Sequence, residues 1–346
     1  MLPMQTAIAA VLIPLGLLLV FGMVAIAGAS AREAELEPGV LPDARRIRLS
    51  RIVMAATGLF LAAVVWSGNG WWRSEAAGYS RIVFKPLALK ASVDGSRLSL
   101  QLVDPGWLNR RTDDLLPDHG HLMHLYCIRL PGMERVWHLH PELTGDLFVQ
   151  PLPDMPAGRY ALYADVVHAN GIGETATATL LLPEIQGEPL RGDDAAGAGP
   201  LLSEADYNRS VTTLSGGYQL VWDRPAVPLR ARQPYQFRFR LQDADGHPAR
   251  EMELYMGMQG HAAFAAADGS VFAHVHPSGS VPMPALGLVQ PEDPHAAHKM
   301  TMNHSETSAA VTFPYGFPKP GSYRVFVQMK RAGQVATGVF SARVEN

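Results

Sequence analysis

The sequence predicts a mainly β protein, with two tandem antiparallel β-sandwich domains of related fold behind a pair of N-terminal transmembrane helices. Three observations carry this reading. Residues 5–29 form an uncharged apolar run, and a second apolar run covers Ile52–Gly68. Beyond Gly78 the chain breaks into short segments rich in branched and aromatic residues, punctuated by Pro and Gly. These segments form two series that match each other: LQLVDPG parallels RLQDADG, and MPAGRYALYADV parallels PKPGSYRVFVQM, which sets Tyr160 on Tyr323.

The membrane anchor is expected over residues 1–73, with its two helices at about 5–29 and 52–68. The first run is long and lacks a charged n-region, so a cleaved signal peptide fits it less well than a spanning helix. Trp66, Trp71 and Trp72 place the far end of the second run at an interface. Arg32, Arg45, Arg46, Arg48 and Arg51 lie between the runs, against Arg73, Arg81 and Lys85 beyond them. The positive-inside rule then puts the connecting loop in the cytoplasm of a bacterial cell, the helices in its inner membrane and everything after Trp72 in the periplasm.

The first repeat is expected over residues 79–183, with strands in RLSLQLV, MHLYCIRL, RVWHLH, DLFVQPL, RYALYADVV and ATATLLL. Residues 184–205 (EIQGEPLRGDDAAGAGPLLSEA) are acidic and rich in Gly and Ala, the composition of a linker. The second repeat follows over residues 206–346 and contains a His/Met-rich loop at 291–308. Net charge is −3 and charges are thinly spread, which excludes a nucleic-acid partner. The single cysteine, Cys127, rules out an internal disulfide framework and a Cys-built zinc or iron–sulfur site; within LYCI it reads as a buried small hydrophobe.

Thirteen histidines are present, and eleven of them fall in three short clusters. With one residue of slack in the turn, the repeats set His124 on His261, His138 on His274 and His140 on His276, while His119 and His121 fall on Met256 and Met258. Residues i and i+2 of a strand share a face, so each HxH pair points one way. Pro141 or Pro277 ends each strand, placing the pairs at a sheet rim that solvent and ions can reach. A third imidazole arrives from the neighbouring strand. Three neutral imidazoles around an open position suit copper(II), and zinc is admitted by the same set.

Methionine shifts the balance toward copper. Met256, Met258 and Met283 accompany the second triplet, and the loop adds His295, His298, Met300, Met302 and His304. Thioether sulfur favours copper(I) and offers little to zinc, so the chain presents donors for both copper oxidation states. His119, His121 and Asp118 give the first repeat the harder donor set, and that repeat is expected to prefer copper(II) relative to the second. His168 (HANG) and His247 (DGHP) read as turn residues.

His261, AHVHP at 273–277 and FPKPGSY at 317–323 carry a resemblance to the YtkA-like and FixH-like periplasmic domains, and more loosely to the copper-binding sandwiches of the CopC type. It covers residues 79–183 and, more fully, 216–345. The resemblance implies immunoglobulin-like sandwiches in heavy-metal handling. The chain departs from a cupredoxin in having no Cys near its closing strands, which excludes a blue-copper electron-transfer centre.

The reading that follows is a membrane-anchored periplasmic copper-binding protein, not an enzyme, acting in delivery, storage or resistance with a membrane copper transporter or oxidase as its partner. Its alternatives are an assembly or scaffold module for a membrane complex such as an oxidase, and a mononuclear copper enzyme. Against the enzyme stand the absence of GxSxG, HExxH or a phosphate loop, and the fact that Glu142 after HLHP is matched by Ser278 in the second repeat. Without CxxCH, haem is the least suitable ligand.

Overall fold

The computed structural model describes residues 4–108, 110–289 and 307–346. The chain forms two compact units, Met1–Phe84 and Lys85–Asn346.

The first unit is a helical hairpin. Helices α1 (Met4–Glu33) and α2 (Ala44–Ile82) are both long and apolar enough to cross a membrane. They approach closely at Gly28, where an added Cβ would lie 2.4 Å from Met54 Cγ, and Ser50 Oγ donates to the Gly28 carbonyl at 2.7 Å. Small residues and a hydroxyl are how apolar helices associate when burial alone gives no preference. Asp43 caps α2 by accepting from the Arg46 N–H at 2.8 Å. With 39 residues, α2 is about 58 Å long at the α-helical rise, nearly twice a hydrocarbon core. The arginines expected in a connecting loop therefore lie on helix: Arg32 in the last turn of α1, the other four in the first turns of α2. Trp71 and Trp72 lie inside α2 rather than at its end. The early start of α2 has a local cause, since no Pro or Gly separates Asp43 from Gly58 and Arg is a strong helix former.

The second unit holds both β repeats. The first begins with β1 (Ala88–Asp94), β2 (Arg97–Val103), β3 (Leu115–Leu116), β4 (His124–Leu130) and β5 (Arg135–Leu139). It continues with β6 (Glu142–Thr144), β7 (Leu147–Pro151), β8 (Gly158–His168), β9 (Gly173–Leu182) and β10 (Ala195–Ala198). All join one sheet in the order β10-β5-β4-β8-β9-β1-β2-β7-β6, with β3 on β8. The single parallel step, Ala88↔Thr177 between β1 and β9, joins its two halves. Trp137 and Leu139 from one half share a core with Leu98, Leu100 and Phe148 from the other, so the sheet closes over itself. Cys127 lies in that core.

The second repeat begins with β11 (Val211–Thr213), β12 (Gln219–Asp223), β13 (Leu229–Arg230), β14 (Tyr235–Gln242) and β15 (Met252–Glu253). After β16 (His261–Ala266), β17 (Phe272–Val275) and the short helix α3 (Met283–Val289) come β18 (Ala310–Tyr315), β19 (Gly321–Arg331) and β20 (Gln334–Glu345). Two sheets, β11-β12-β14-β18 and β13-β20-β19-β16-β17 with β15 on β19, enclose an aromatic core that includes Trp222, Phe237, Phe239 and Phe313.

Two details repeat between the halves. Tyr160 donates its hydroxyl proton to the Pro156 carbonyl at 2.7 Å, and Tyr323 does the same to Lys319 at 2.8 Å, each four residues back, as in the tyrosine corner of immunoglobulin-like sandwiches. Asp118–His121 and Tyr255–Met258 form matching tight turns with positive φ at both central residues: His119 52° and Gly120 88°, Met256 49° and Gly257 78°. His119 and His121, like Met256 and Met258, thus belong to turns rather than to strands.

Strand alternation explains how the repeats meet. On β4, Leu125 and Cys127 face the first repeat's own core, while Tyr126 and Ile128 face the other repeat. On β16, Ala262 and Phe264 face inward, while Ala263 and Ala265 face outward. An isolated sandwich would give such outward faces to water. Here they cover one another, with Val136, Ala161, Tyr163, Phe326 and Val339 completing an apolar layer between the repeats. Alanine permits the close approach. The segment expected to be only a linker contributes β10, which pairs with β5 (Ala195↔His138), and a Cβ at Gly197 would lie 2.4 Å from Thr337 Cγ2.

Arg324, fully buried beside this layer, donates to Ser341 Oγ at 2.6 Å and to the carbonyls of Gly132 and Pro200. Burial lowers its pKa only to about 10, so it stays charged at neutral pH and ties the inter-repeat segment to β19 and β20. Ala263→Leu forces extra methylenes into the alanine contact and is expected to destabilise the unit by about 1–3 kcal/mol. A denaturant midpoint unchanged from wild type would show that the faces do not meet at this residue.

Candidate metal centre

The outward faces that carry the apolar layer also carry the histidines. His138 on β5 shares a face with Val136, and His274 on β17 shares one with Phe272. His140 and His276 follow directly beyond those strands, and His124 and His261 open β4 and β16. Burying the two faces against each other therefore gathers both triplets into one cluster. Ring centroids of His124 and His274 lie 5.2 Å apart, those of His138 and His274 5.5 Å. The Asp118–His121 turn adds His119, 4.9 Å from His261 and 4.7 Å from His276, and His121, stacked on His140 at 4.0 Å.

This differs from the expectation of histidine pairs at sheet rims that solvent and ions can reach. His138 and His261 are 0% exposed, and of the eight rings only His121 keeps sizeable access, at 29% of its side chain. The donors group as His124, His138 and His140 within the first repeat, and as His119, His261 and His276 across the two. The expectation that separate repeats would differ in copper(II) preference therefore loses its basis. Met256 is buried beside Tyr255 and Ala195 rather than exposed at a strand end. Met258 is half-buried, and the Met283 N–H donates to Asp118 Oδ1 at 3.1 Å. His295, His298, Met300, Met302 and His304 lie outside the described residues.

One hydrogen-bonding pattern of the first triad leaves three ring nitrogens free as ligands. Gln328 Nε2 donates to Thr337 Oγ1 at 3.3 Å, which turns its Oε1 toward His138 Nδ1 at 2.8 Å and places the imidazole proton there. His124 Nε2 faces the Asp118 carbonyl at 3.0 Å and must donate to it. His140 Nδ1 faces Asp194 Oδ1 at 3.0 Å. The remaining nitrogens of His124 and His138 then confront each other at 3.1 Å as two lone pairs, and His140 Nε2 has no partner. Three acceptor nitrogens with their outer N–H groups tied to a carbonyl, an amide oxygen and a carboxylate form the arrangement that orients imidazole ligands toward a cation.

Around this triad, His119 Nε2, His274 Nε2 and both nitrogens of His261 and of His276 are buried without a hydrogen-bond partner of good geometry. Asp165 Oδ2 lies 3.5 Å from His274 Nδ1; burial raises the pKa of this carboxyl to about 7, against the hydrogen bond from Thr175. Burial, reinforced by the neighbouring imidazoles, holds His124, His138 and His261 well below the ordinary histidine value. The same causes bring His274 to about 3 and His276 to about 2, the Val281 backbone opposing the latter weakly. Neutral imidazole is the ligating form.

A cleft of about 690 Å³ opens onto this cluster, lined by His121, His140, Gln150, Asp193 and Asp194. Asp194 also accepts from the His140 N–H at 2.9 Å and from Gln150 Nε2 at 3.0 Å, and Asp193 Oδ2 lies 3.4 Å from His121 Nε2. Asp193, Asp194 and Gln328 were missed in the sequence. The first two sit in GDDAAG, whose composition matches a solvated linker, and Gln328 is one amide in a strand. Tyr126 stacks on His138 at 4.1 Å, and Tyr255 donates to the Asp193 carbonyl at 2.6 Å. His168, expected as a simple turn residue, ends β8 buried between Asp114 and Glu174, each at 3.0 Å. His247 stays exposed in its turn.

A domain of unknown function (DUF8832) matches residues 212–346. No curated protein matches the sequence. Among solved structures, domains 4 and 5 of the S-layer protein SbsC are 12% identical, cover 76% of this chain and 98% of their own, and superpose with a TM-score of 0.20. The fibronectin(III)-like modules of Clostridium thermocellum CbhA are 11% identical over 75% of this chain and 93% of theirs, with a TM-score of 0.17.

The buried histidines set a pH dependence for the metal-free protein. Their folded-state pKa values lie below the unfolded value of about 6.5, so the unfolded chain binds more protons once pH falls beneath it. Stability is full above that pH and is lost on acidification, by about 1.4 kcal/mol per pH unit for each such group. For His274 the window runs from the unfolded value down to about 3. The melting temperature of the metal-free chain should fall steeply from pH 6.5 to pH 4, and His274→Asn should lessen the slope. A flat profile over that range would show that the rings are not buried neutral.

Proposed function

We propose that this is a membrane-anchored, periplasmic copper-binding protein that acts in copper delivery, storage or resistance. The observation that carries the reading is the convergence of acceptor nitrogens from His124, His138 and His140, each with its other nitrogen tied to an oxygen. Six partnerless imidazole nitrogens around this triad support it. At roughly 1 kcal/mol or more for each buried unsatisfied polar group, their cost is of the order of a domain's whole stability, which argues for a ligand rather than a structural role.

Several features favour copper over zinc. An all-imidazole set binds copper(II) more tightly than zinc(II) in the order of divalent affinities. The methionines in the second repeat suit copper(I), and the resemblance to YtkA-like and FixH-like domains points to heavy-metal handling. The two apolar helices would hold the centre near a membrane, where a copper transporter or oxidase could receive the ion, and the arginines on the first turns of α2 favour a periplasmic β unit. The site residues bind and orient. The imidazoles supply neutral nitrogen donors, Asp194 and Gln328 hold ring orientation, and the contact between the repeats buries most of the rings. The reading assigns no turnover.

The test is metal content and copper affinity of the full chain, purified in detergent and stripped with chelator before reloading. Tight copper binding, with zinc displaced by copper, is expected; binding no tighter than that of the denatured chain would end the reading. Asp194→Asn should lower copper affinity by about 10–100-fold, the usual effect of losing a group that orients a ligand. Unchanged affinity would remove Asp194 from the centre. Loading at 100 times the dissociation constant should stabilise the β unit by about 2.7 kcal/mol, seen as a higher melting temperature.

A further inference from the structure

We infer that the cluster holds two neighbouring metal ions rather than one, as a coupled pair spanning the two repeats. This rests on the metal-binding reading and goes beyond it in number, placement and electronic consequence.

The argument begins with donor counting. His124 and His138 present two facing lone pairs, and five further rings, His119, His140, His261, His274 and His276, carry partnerless buried nitrogens. That makes seven rings with free donors. A tetrahedral or tetragonal ion takes about four nitrogens, so one ion leaves several imidazoles buried and unsatisfied. Two ions accommodate the set.

Geometry divides the donors in the same way. His124, His138 and His140 converge within the first repeat, while His261 and His276 of the second repeat converge with His119 of the first. The left-handed turn at His119 and Gly120 delivers His119 across the boundary. In the second repeat the equivalent turn carries Met256, so no matching imidazole crosses back, and the pair is asymmetric by construction.

His274 lies between the two groups. Its ring centroid is 5.2 Å from His124 and 5.5 Å from His138 on one side, and 5.4 Å from His261 and 4.7 Å from His276 on the other. His119 is 6.2 Å from His124. Triads whose rings are this close place their ions as neighbours, at separations of the order of those in two-metal sites, about 4 Å. No carboxylate belongs to either triad; Asp118 Oδ1 lies 3.7 Å from His119 Nε2, and Asp194 and Asp165 stand against His140 Nδ1 and near His274 Nδ1.

The experiment is a copper(II) titration of the full chain in detergent, stripped beforehand, followed by electron paramagnetic resonance. Two equivalents should bind tightly. At two equivalents the integrated signal should fall below half of two spins, or a half-field transition should appear, because neighbouring copper(II) ions couple. His261→Gln/His276→Gln should leave one equivalent with a full, uncoupled mononuclear signal. The wild-type titration decides the matter even where that variant fails to fold. Saturation at one equivalent, or two equivalents that integrate to two isolated spins, overturns the pair while leaving copper binding intact. No tight copper at all removes both readings.

Discussion

The whole arrangement depends on one contact: the outward faces of two sandwiches buried against each other. A β strand has two faces, and in a two-layer domain one of them ordinarily meets water. Here β4, β5 and β8 of the first repeat press against β16, β19 and β20 of the second through alanine, glycine and a few large apolar side chains. The histidines occupy the same faces, a few residues along the same strands. If the faces separate, the cluster divides into two half-sites open to solvent. If they meet, eight imidazoles gather in one cluster that reaches solvent through the cleft at His121 and His140.

That contact also separates what could be read in the sequence from what could not. The repeat, the strand series, the shared faces of His138 with His140 and His274 with His276, and the equivalence of the HGH and MGM segments were legible, because each depends on local spacing. The tyrosine match was legible too, and the hydrogen bonds of Tyr160 and Tyr323 give it a physical meaning. Burial of the histidines was not legible. An alternating strand reads as half-exposed, and nothing in AHVHP reveals that its outer face meets another domain. The runs MHLYCI and HAAFAA, apolar on both faces, were the available signal for such a strand.

The residues missed for the site share a cause. Asp193, Asp194 and Gln328 stand outside the two triads and contact His121, His140 and His138 across separations of 54 to 190 residues along the chain. A carboxylate in a Gly/Ala-rich segment and an amide in a strand carry no local pattern that marks such a role. The helical hairpin shows the converse. Its apolar runs were plain, but the early start of α2 followed from the absence of a breaker before Gly58, a weaker signal than hydropathy.

The segment between the repeats gives the architecture a further character. β10 extends the first sheet, Asp194 holds His140, and the Pro200 carbonyl accepts from Arg324 of the second repeat. The covalent join between the domains is therefore part of the scaffold of the histidine cluster. Neither half, cut free, would carry the complete machinery, and the duplication that produced two similar domains has left them as one inseparable device. Any later recombination of this chain must move both repeats together or divide the histidine cluster.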